Sequence, residues 1–166
     1  MPNNKWLVVS VASALFLLAI AGGAWWRNEA TKKEAWEQRA KAKGLPAEDY
    51  QKVIERIDQV AASGDFNEND MELAIQFSKS DTPKFRSYAL TLVNTGLKNS
   101  DPEAVVEFVT PFLEDSSDKV RRTAFMIVGH RDKDGWRKYE PRMRSDSSGE
   151  VQKLIGMFES EESEKQ

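Results

Sequence analysis

The chain has 166 residues, 40% apolar and 31% charged, enough for one compact domain with an appendage. It has no cysteine and a single histidine, which excludes disulfides, thiolate metal sites, Cys nucleophiles and His-pair metal sites. The net charge of −3 is unevenly placed: residues 1–44 carry seven Lys/Arg against three Glu, and residues 45–166 carry 17 against 24 Asp/Glu. The first part is therefore +4 and the second −7, and an acidic domain is on average repelled by polyphosphate, so nucleic acid is not an expected partner.

Residues 1–5 form a short polar tail containing Lys5. From Trp6 to Trp26 the chain runs 21 residues without a charge. About 20 helical residues cross the hydrocarbon layer of a bilayer, and Trp6, Trp25 and Trp26 stand where interfacial aromatics belong. Residues 6–26 thus predict a transmembrane helix, making the protein single-pass. The alternative is a signal peptide: Lys5 supplies a positive start, and Ala19-Ile20-Ala21 is a small-x-small cleavage site. Six Lys/Arg follow the run between Arg27 and Lys43, so the positive-inside rule leans the C-terminal part towards the cytoplasm. Cleavage would place it in an exported or periplasmic location instead.

Residues 27–44 are rich in Ala, Glu, Lys, Gln and Arg and predict a helical stalk, with Glu37 in reach of Lys41. Trp36 gives the stalk one aromatic with which to touch a lipid surface. Gly44-Leu45-Pro46 ends it.

Residues 45–158 show the 3.6-residue period repeatedly and no run of alternating β-branched residues, so an all-α domain is expected. Tyr50, Val53, Ile57 and Val60 make the first stripe. Met71 to Phe77 makes a short second helix. Thr82-Pro83 and Asp101-Pro102 read as caps followed by first-turn prolines. Pro111 should kink the helix that contains it, and Pro141 should break the segment carrying Trp136, Tyr139 and Met143. A helix follows from about Ser117 to His130, and the last stripe is Val151, Leu154, Ile155 and Phe158. Residues 159–166 are acidic and polar and read as a disordered tail.

Three stretches share one grammar, an acidic turn and then an apolar-basic helix start. They are Ser80-Asp81-Thr82-Pro83-Lys84-Phe85-Arg86, Asp115-Ser116-Ser117-Asp118-Lys119-Val120-Arg121 and Asp146-Ser147-Ser148-Gly149-Glu150-Val151-Gln152. Phe85, Val120 and Val151 are 35 and 31 residues apart, a spacing typical of stacked helical repeats.

With Phe112-Leu113-Glu114-Asp115 and Ile127-Val128-Gly129 on either side, the middle copy resembles the HEAT repeat in its short, PBS-lyase HEAT-like form. The first copy has Phe85-Arg86 at the Val-Arg entry, and the third has Gln152 in place of the arginine. The resemblance implies a short α-solenoid of about three helix pairs, preceded by the transmembrane helix and stalk. It implies a scaffold or adaptor for another protein and no catalysis of its own. It further implies that Asp115 with Arg121, and likewise Asp81, Arg86 and Asp146, support the inter-helix turns.

Three groups of residues compete for a functional role. Arg131, Lys133, Arg137, Lys138, Arg142 and Arg144, with Trp136 and Tyr139 among them, form a basic segment suited to a protein partner or an anionic polymer. Asp132, Asp134 and Glu140 dilute it, so a solvated helix face is the plainer reading. Asp65-x-Asn67-x-Asn69 fits the start of a calcium loop, but Asp70 and Gln76 stand where Gly and Glu are needed, which makes a capped turn the better reading. His130 closes a helix, where a cation complements the dipole. No phosphate-binding or metalloprotease motif is present, so no cofactor and no metal are expected. A lyase-like enzyme subunit sharing the repeat is the alternative to a scaffold, and it would need polar groups converging on a pocket.

Overall fold

A computed structural model of the protein describes residues 30–164. The Trp6–Trp26 run, with the tryptophans Trp6, Trp25 and Trp26, lies outside the described residues. Among the described residues no helix is long and apolar enough to cross a membrane, and there is no strand.

The chain divides into two units, residues 1–51 and 52–166. In the first, helix α1 occupies 30–43. Gly44 ends it with φ 66°, and the Gly44 and Leu45 amides bond back to the Lys41 and Ala40 carbonyls. This pair of bonds satisfies carbonyls that the helix end would otherwise leave open, and only glycine takes the left-handed position without strain. Trp36 meets Tyr50 edge to face at 5.7 Å, and Arg39 lies 5.3 Å from the Trp36 ring. Lys33 and Glu37 form an ion pair along the helix, at 4.0 Å, one turn earlier than the expected Glu37–Lys41.

Helix α2 spans Ala47–Ser63, its first turn in the first unit and the remainder in the second. Then come α3 (Glu68–Ser78), α4 (Pro83–Leu97), α5 (Pro102–Val109), α6 (Asp118–Arg131), α7 (Glu140–Ser145) and α8 (Gly149–Ser163). Two 3₁₀ segments, Thr110–Glu114 and Trp136–Tyr139, join α5 to α6 and α6 to α7. Helix α3 packs on α4, α4 on α5 and α6, and α7 on α8. Helix α6 is central: it touches α4, α5, α8 and both 3₁₀ segments. Phe125, Val128, Leu90, Val93, Leu113 and Phe158 fill the interior between them. Each such side chain, taken from water, stabilises the fold by roughly 1.5–3 kcal/mol before chain entropy is counted.

Three local expectations change. Pro111 does not kink a continuous helix; α5 stops at Val109 and the chain tightens into the 3₁₀ turn Thr110–Glu114, where the absent N–H costs less. Pro141 does not break its segment but opens α7 from a first-turn position. Residues 159–163, read as tail, continue α8 to Ser163. The reason is that the acidic residues there have partners in the fold. Glu162 accepts from the Trp136 indole at 2.7 Å and from Arg137 at 2.6 Å, and Glu159 lies 3.9 Å from Arg144.

Gly129 marks a close approach of α6 to α8: a Cβ there would lie 2.4 Å from Phe158 Cζ. Phe158 cannot easily yield, because Trp136 stacks on it at 5.6 Å and His130 meets it edge-on at 5.0 Å.

Candidate functional site

Two arginine–aspartate pairs of matching geometry run through the second unit. Arg86 on α4 donates from Nε and Nη2 to the two carboxylate oxygens of Asp115, at 2.7 Å each. Arg121 on α6 does the same to Asp146, at 2.7 and 2.8 Å. The remaining nitrogen is used identically in both: Arg86 Nη1 donates to the Ser80 carbonyl at 2.8 Å, and Arg121 Nη1 to the Asp115 carbonyl at 2.9 Å. Each arginine thus holds the turn before its own helix through backbone, and the turn before the next long helix through its side-chain fork. Bidentate pairs of this kind carry geometric specificity as well as energy.

This changes the role expected for Asp115 with Arg121. The two residues touch through the Asp115 carbonyl, while the Asp115 carboxylate belongs to Arg86. The pairing is between successive copies and not within one turn. It also moves the register of the first copy. Asp115 and Asp146 stand six residues before Arg121 and Gln152, and six before Arg86 is Ser80, not Asp81. Ser80 Oγ accepts from the Thr82 amide at 3.1 Å, just as Asp115 accepts from Ser117 at 2.8 Å and Asp146 from Ser148 at 2.7 Å. Asp81 is exposed and contributes its carbonyl to Arg86 at 3.3 Å. Aspartate and serine make this local bond to the amide two residues on, which was the signal available in sequence. In the third copy Gln152 keeps the backbone half of the device, donating to the Asp146 carbonyl at 2.7 Å.

The pairs are well shielded: side-chain exposure is 13% for each arginine and 8% for each aspartate. Burial opposes the charge on Asp115, but the Arg86 fork, the Ser117 amide and the field of Arg121 outweigh it and hold the carboxyl below its usual range. Asp146 is held down chiefly by its bonds from Arg121, against burial. Both arginines are pushed up by their aspartates.

A third pair, Arg56 on α2 with Asp70 on α3, was not anticipated. Arg56 Nη2 reaches Asp70 Oδ2 at 2.6 Å and the Asp65 carbonyl at 2.9 Å, and Arg56 Nε also bonds Asp70. Asp70 in turn accepts from the Asn67 amide at 2.9 Å, while Asn67 caps α3 by accepting from Asn69 at 3.0 Å. The Asp65–Asp70 stretch is therefore a helix cap locked to α2. A polar groove lies beside it, lined among others by Lys52, Glu55, Arg56, Asp65 and Glu72. Among the described residues no group of three metal-ligating side chains comes together.

The basic segment is engaged internally. Arg131 donates to Asn94 at 2.8 Å, Lys133 lies 3.6 Å from Glu103, Arg142 pairs with Glu114, and Arg144 with Glu140 at 2.7 Å. Arg137 meets Glu162 and sits 4.7 Å over the Trp136 ring. Lys138 bonds Asp132 at 2.8 Å, and the Tyr139 hydroxyl donates to the same carboxylate. Burial works against Asp132, but these two donors and the Asp134 amide bring its carboxyl down to about 2, while burial and Asp132 push the Tyr139 hydroxyl up to about 12. Trp136 and Tyr139 are buried. The segment is a set of ion pairs, some local and some to distant acids, around the buried Trp136 and Tyr139.

The register set by Arg86, Arg121 and Gln152 also aligns other side chains of α4, α6 and α8. Five residues on stand Thr91, Met126 and Met157, all half-buried. One residue on stand Ser87, Arg122 and Lys153, and two before stand Lys84, Lys119 and Glu150. Lys84, Lys119, Arg122 and Lys153 are exposed. Lys153 bonds Glu150 at 2.5 Å and holds its carboxyl below the usual range, and the field of Arg122 on α6 acts in the same direction. Arg122 and the start of α8 are thus electrostatic neighbours.

No known protein family, curated protein or solved structure matches the chain.

Proposed function

We propose that the protein is a membrane-tethered, non-catalytic adaptor: a short HEAT-like solenoid that binds another protein. The observation that carries this reading is the doubled Arg–Asp device. Two copies of one bonding pattern, with the register 35 and 31 residues apart, are what a stacked repeat requires, because each helix pair must dock on the next in the same way. Such arrays present a continuous face of successive helices to a partner, and affinity there rests on a few anchor side chains. The uncharged Trp6–Trp26 run supplies the tether. The resemblance to HEAT-like repeats supports the same reading from the sequence side.

The acidic charge of residues 45–166 and the ion pairs of Lys133, Arg137, Lys138, Arg142 and Arg144 weigh against anionic-polymer binding through that segment. A lyase-like subunit would need the polar groove beside Asp65–Asp70 as its pocket, and there Arg56 and Asp70 are already bonded to each other.

The test is membrane fractionation of the full chain carrying a C-terminal tag, with protease protection of the tag and photo-crosslinking from a reactive residue at Met126. Extraction with the membrane and a discrete protein crosslink are expected. Release into the soluble fraction at full processed length would remove the tether, and the absence of any protein crosslink would remove the adaptor.

A further inference from the structure

The face built by α4, α6 and α8 differs in charge from the domain that carries it. Lys119, Arg122 and Lys153 are exposed around the starts of α6 and α8, with Lys84 at the matching register on α4. The exposed acids at the same helix starts are Asp81, Asp118 and Glu150, three against the four cations, and Glu150 is already bonded to Lys153. The strip is cationic inside a −7 domain. Along its length run the half-buried Thr91, Met126 and Met157.

We propose that this strip is the docking surface and that its occupant is an acidic, amphipathic segment of a partner protein, with apolar side chains over Met126 and Met157 and carboxylates towards Arg122, Lys119 and Lys153. The proposal rests on the adaptor reading and adds the chemistry of the partner. Charge range decides between an acidic segment and an anionic bilayer or nucleic acid. At physiological salt, fields fade over about 8 Å. A narrow segment lying along the strip meets mainly the local cations. A bilayer or polyphosphate meets the whole acidic surface and is repelled. Methionine suits the apolar half of the contact, since its flexible, polarisable side chain adapts to the partner's residues.

The experiment uses the full chain in detergent or nanodiscs of neutral lipid. The probe is a fluorescent peptide with Glu on one helical face and Leu on the other, compared with its Glu-to-Lys version, a version without Leu, anionic phosphatidylglycerol vesicles and single-stranded DNA. Binding of the first peptide alone is expected, weakened about tenfold by Arg122→Glu and again by Lys119→Glu, because like charges face to face at an interface are strongly unfavourable. Lys79→Glu, an exposed charge reversal outside the strip, should leave it unchanged, and circular dichroism melts confirm that all variants fold. Equal loss in Lys79→Glu, or binding that does not need Leu, would overturn the strip as a specific site. Binding of vesicles or DNA with the same Arg122 dependence, and not of the peptide, would replace the occupant. A protein crosslink from Met126 that survives Arg122→Glu would keep the adaptor and discard the acidic segment. No protein crosslink at all would discard both.

Discussion

Arg86 and Arg121 meet equivalent acids in equivalent ways, whereas the six cations between Arg131 and Arg144 meet glutamates, an aspartate and an asparagine from scattered elements, with no shared geometry. Both regions are rich in ion pairs, yet they differ in what those pairs do. The two forks are largely shielded from water, use all their nitrogens, and join the turns of successive helices. Arg137, by contrast, is 62% exposed and its partner Glu162 39%. An exposed pair contributes about 0–1 kcal/mol, while breaking one side of a buried pair costs about 3–5 kcal/mol because a charge is left stranded. Counting charges would rank the basic segment first; shielding and recurrence rank the two forks first.

The sharpest way to break the comparison is Asp115→Ala. It strands Arg86, leaves the Ser117 amide without its acceptor and disconnects α4 from the turn before α6. A loss of about 3–5 kcal/mol is expected in urea unfolding, and a loss of less than about 1 kcal/mol, the range of an exposed pair, would show that the fork is ornamental. Arg121→Gln comes next, at about 2 kcal/mol, because glutamine can keep the backbone bond, as Gln152 does, while Asp146 loses its fork. A double-mutant cycle then locates the coupling. Arg86 with Asp115 should couple strongly and Arg121 with Asp115 weakly, the reverse of what a turn supported from within its own copy would give.

Gly129→Ala tests packing without touching charge. Alanine gains about 1 kcal/mol of helix propensity over glycine. The added methyl, however, meets Phe158 Cζ at 2.4 Å, and overpacking costs about 1–3 kcal/mol. A net loss of about 1 kcal/mol is expected, and relief on combining it with Phe158→Leu. A stabilised Gly129→Ala would mean that α6 and α8 separate easily.

Much of this was legible in sequence, and the failures have physical causes. Helix starts at Pro83, Pro102 and Asp118 and the apolar stripes could be read from caps and period, since both are local. The recurrence at 35 and 31 residues was visible too. What it could not reveal is who pairs with whom: Asp115 lies six residues from Arg121 and 29 from Arg86, and only the fold shows that the distant arginine wins. Ser80, not Asp81, is the counterpart of Asp115 and Asp146, because the shared distance of six residues to the arginine position sets the register and acidity does not. Asp132 and Glu140 are visible within the basic segment, but the partners of Lys133, Arg142 and Arg137 are Glu103, Glu114 and Glu162, none of them adjacent in sequence. The apolar run to Trp26 lies outside the described residues and stays a sequence reading.

Acid titration compares the two regions through their aspartates. Asp70, Asp115, Asp146 and Asp132 all have carboxyls held below the unfolded value of about 4. A depressed carboxyl stabilises the fold fully above that value, and the contribution is lost as the pH falls through the folded pKa. For Asp132 the window runs from about 4 down to about 2. The stability difference between the native chain and Asp132→Asn should therefore be constant from about pH 5 to 7 and shrink below about 4. A difference that grows on acidification would contradict the assigned bonds from Lys138 and Tyr139.

The smallest expected effect is the most discriminating for the repeat. Gln152 occupies the arginine position in the last copy, and the substitution Gln152→Arg completes the sequence pattern. Pattern alone predicts a gain. The geometry predicts almost none, within about 0.5 kcal/mol, because an arginine there keeps only the bond to the Asp146 carbonyl. Among the described residues no helix follows α8 to bring a carboxylate to its fork. The same substitution becomes informative in combination with Arg121→Gln: if the forks act only between successive copies, the new arginine cannot rescue Asp146, and the two effects should add. Rescue would mean that the introduced guanidinium reaches back to its own turn's carboxylate, and the between-copy rule would fail at that position.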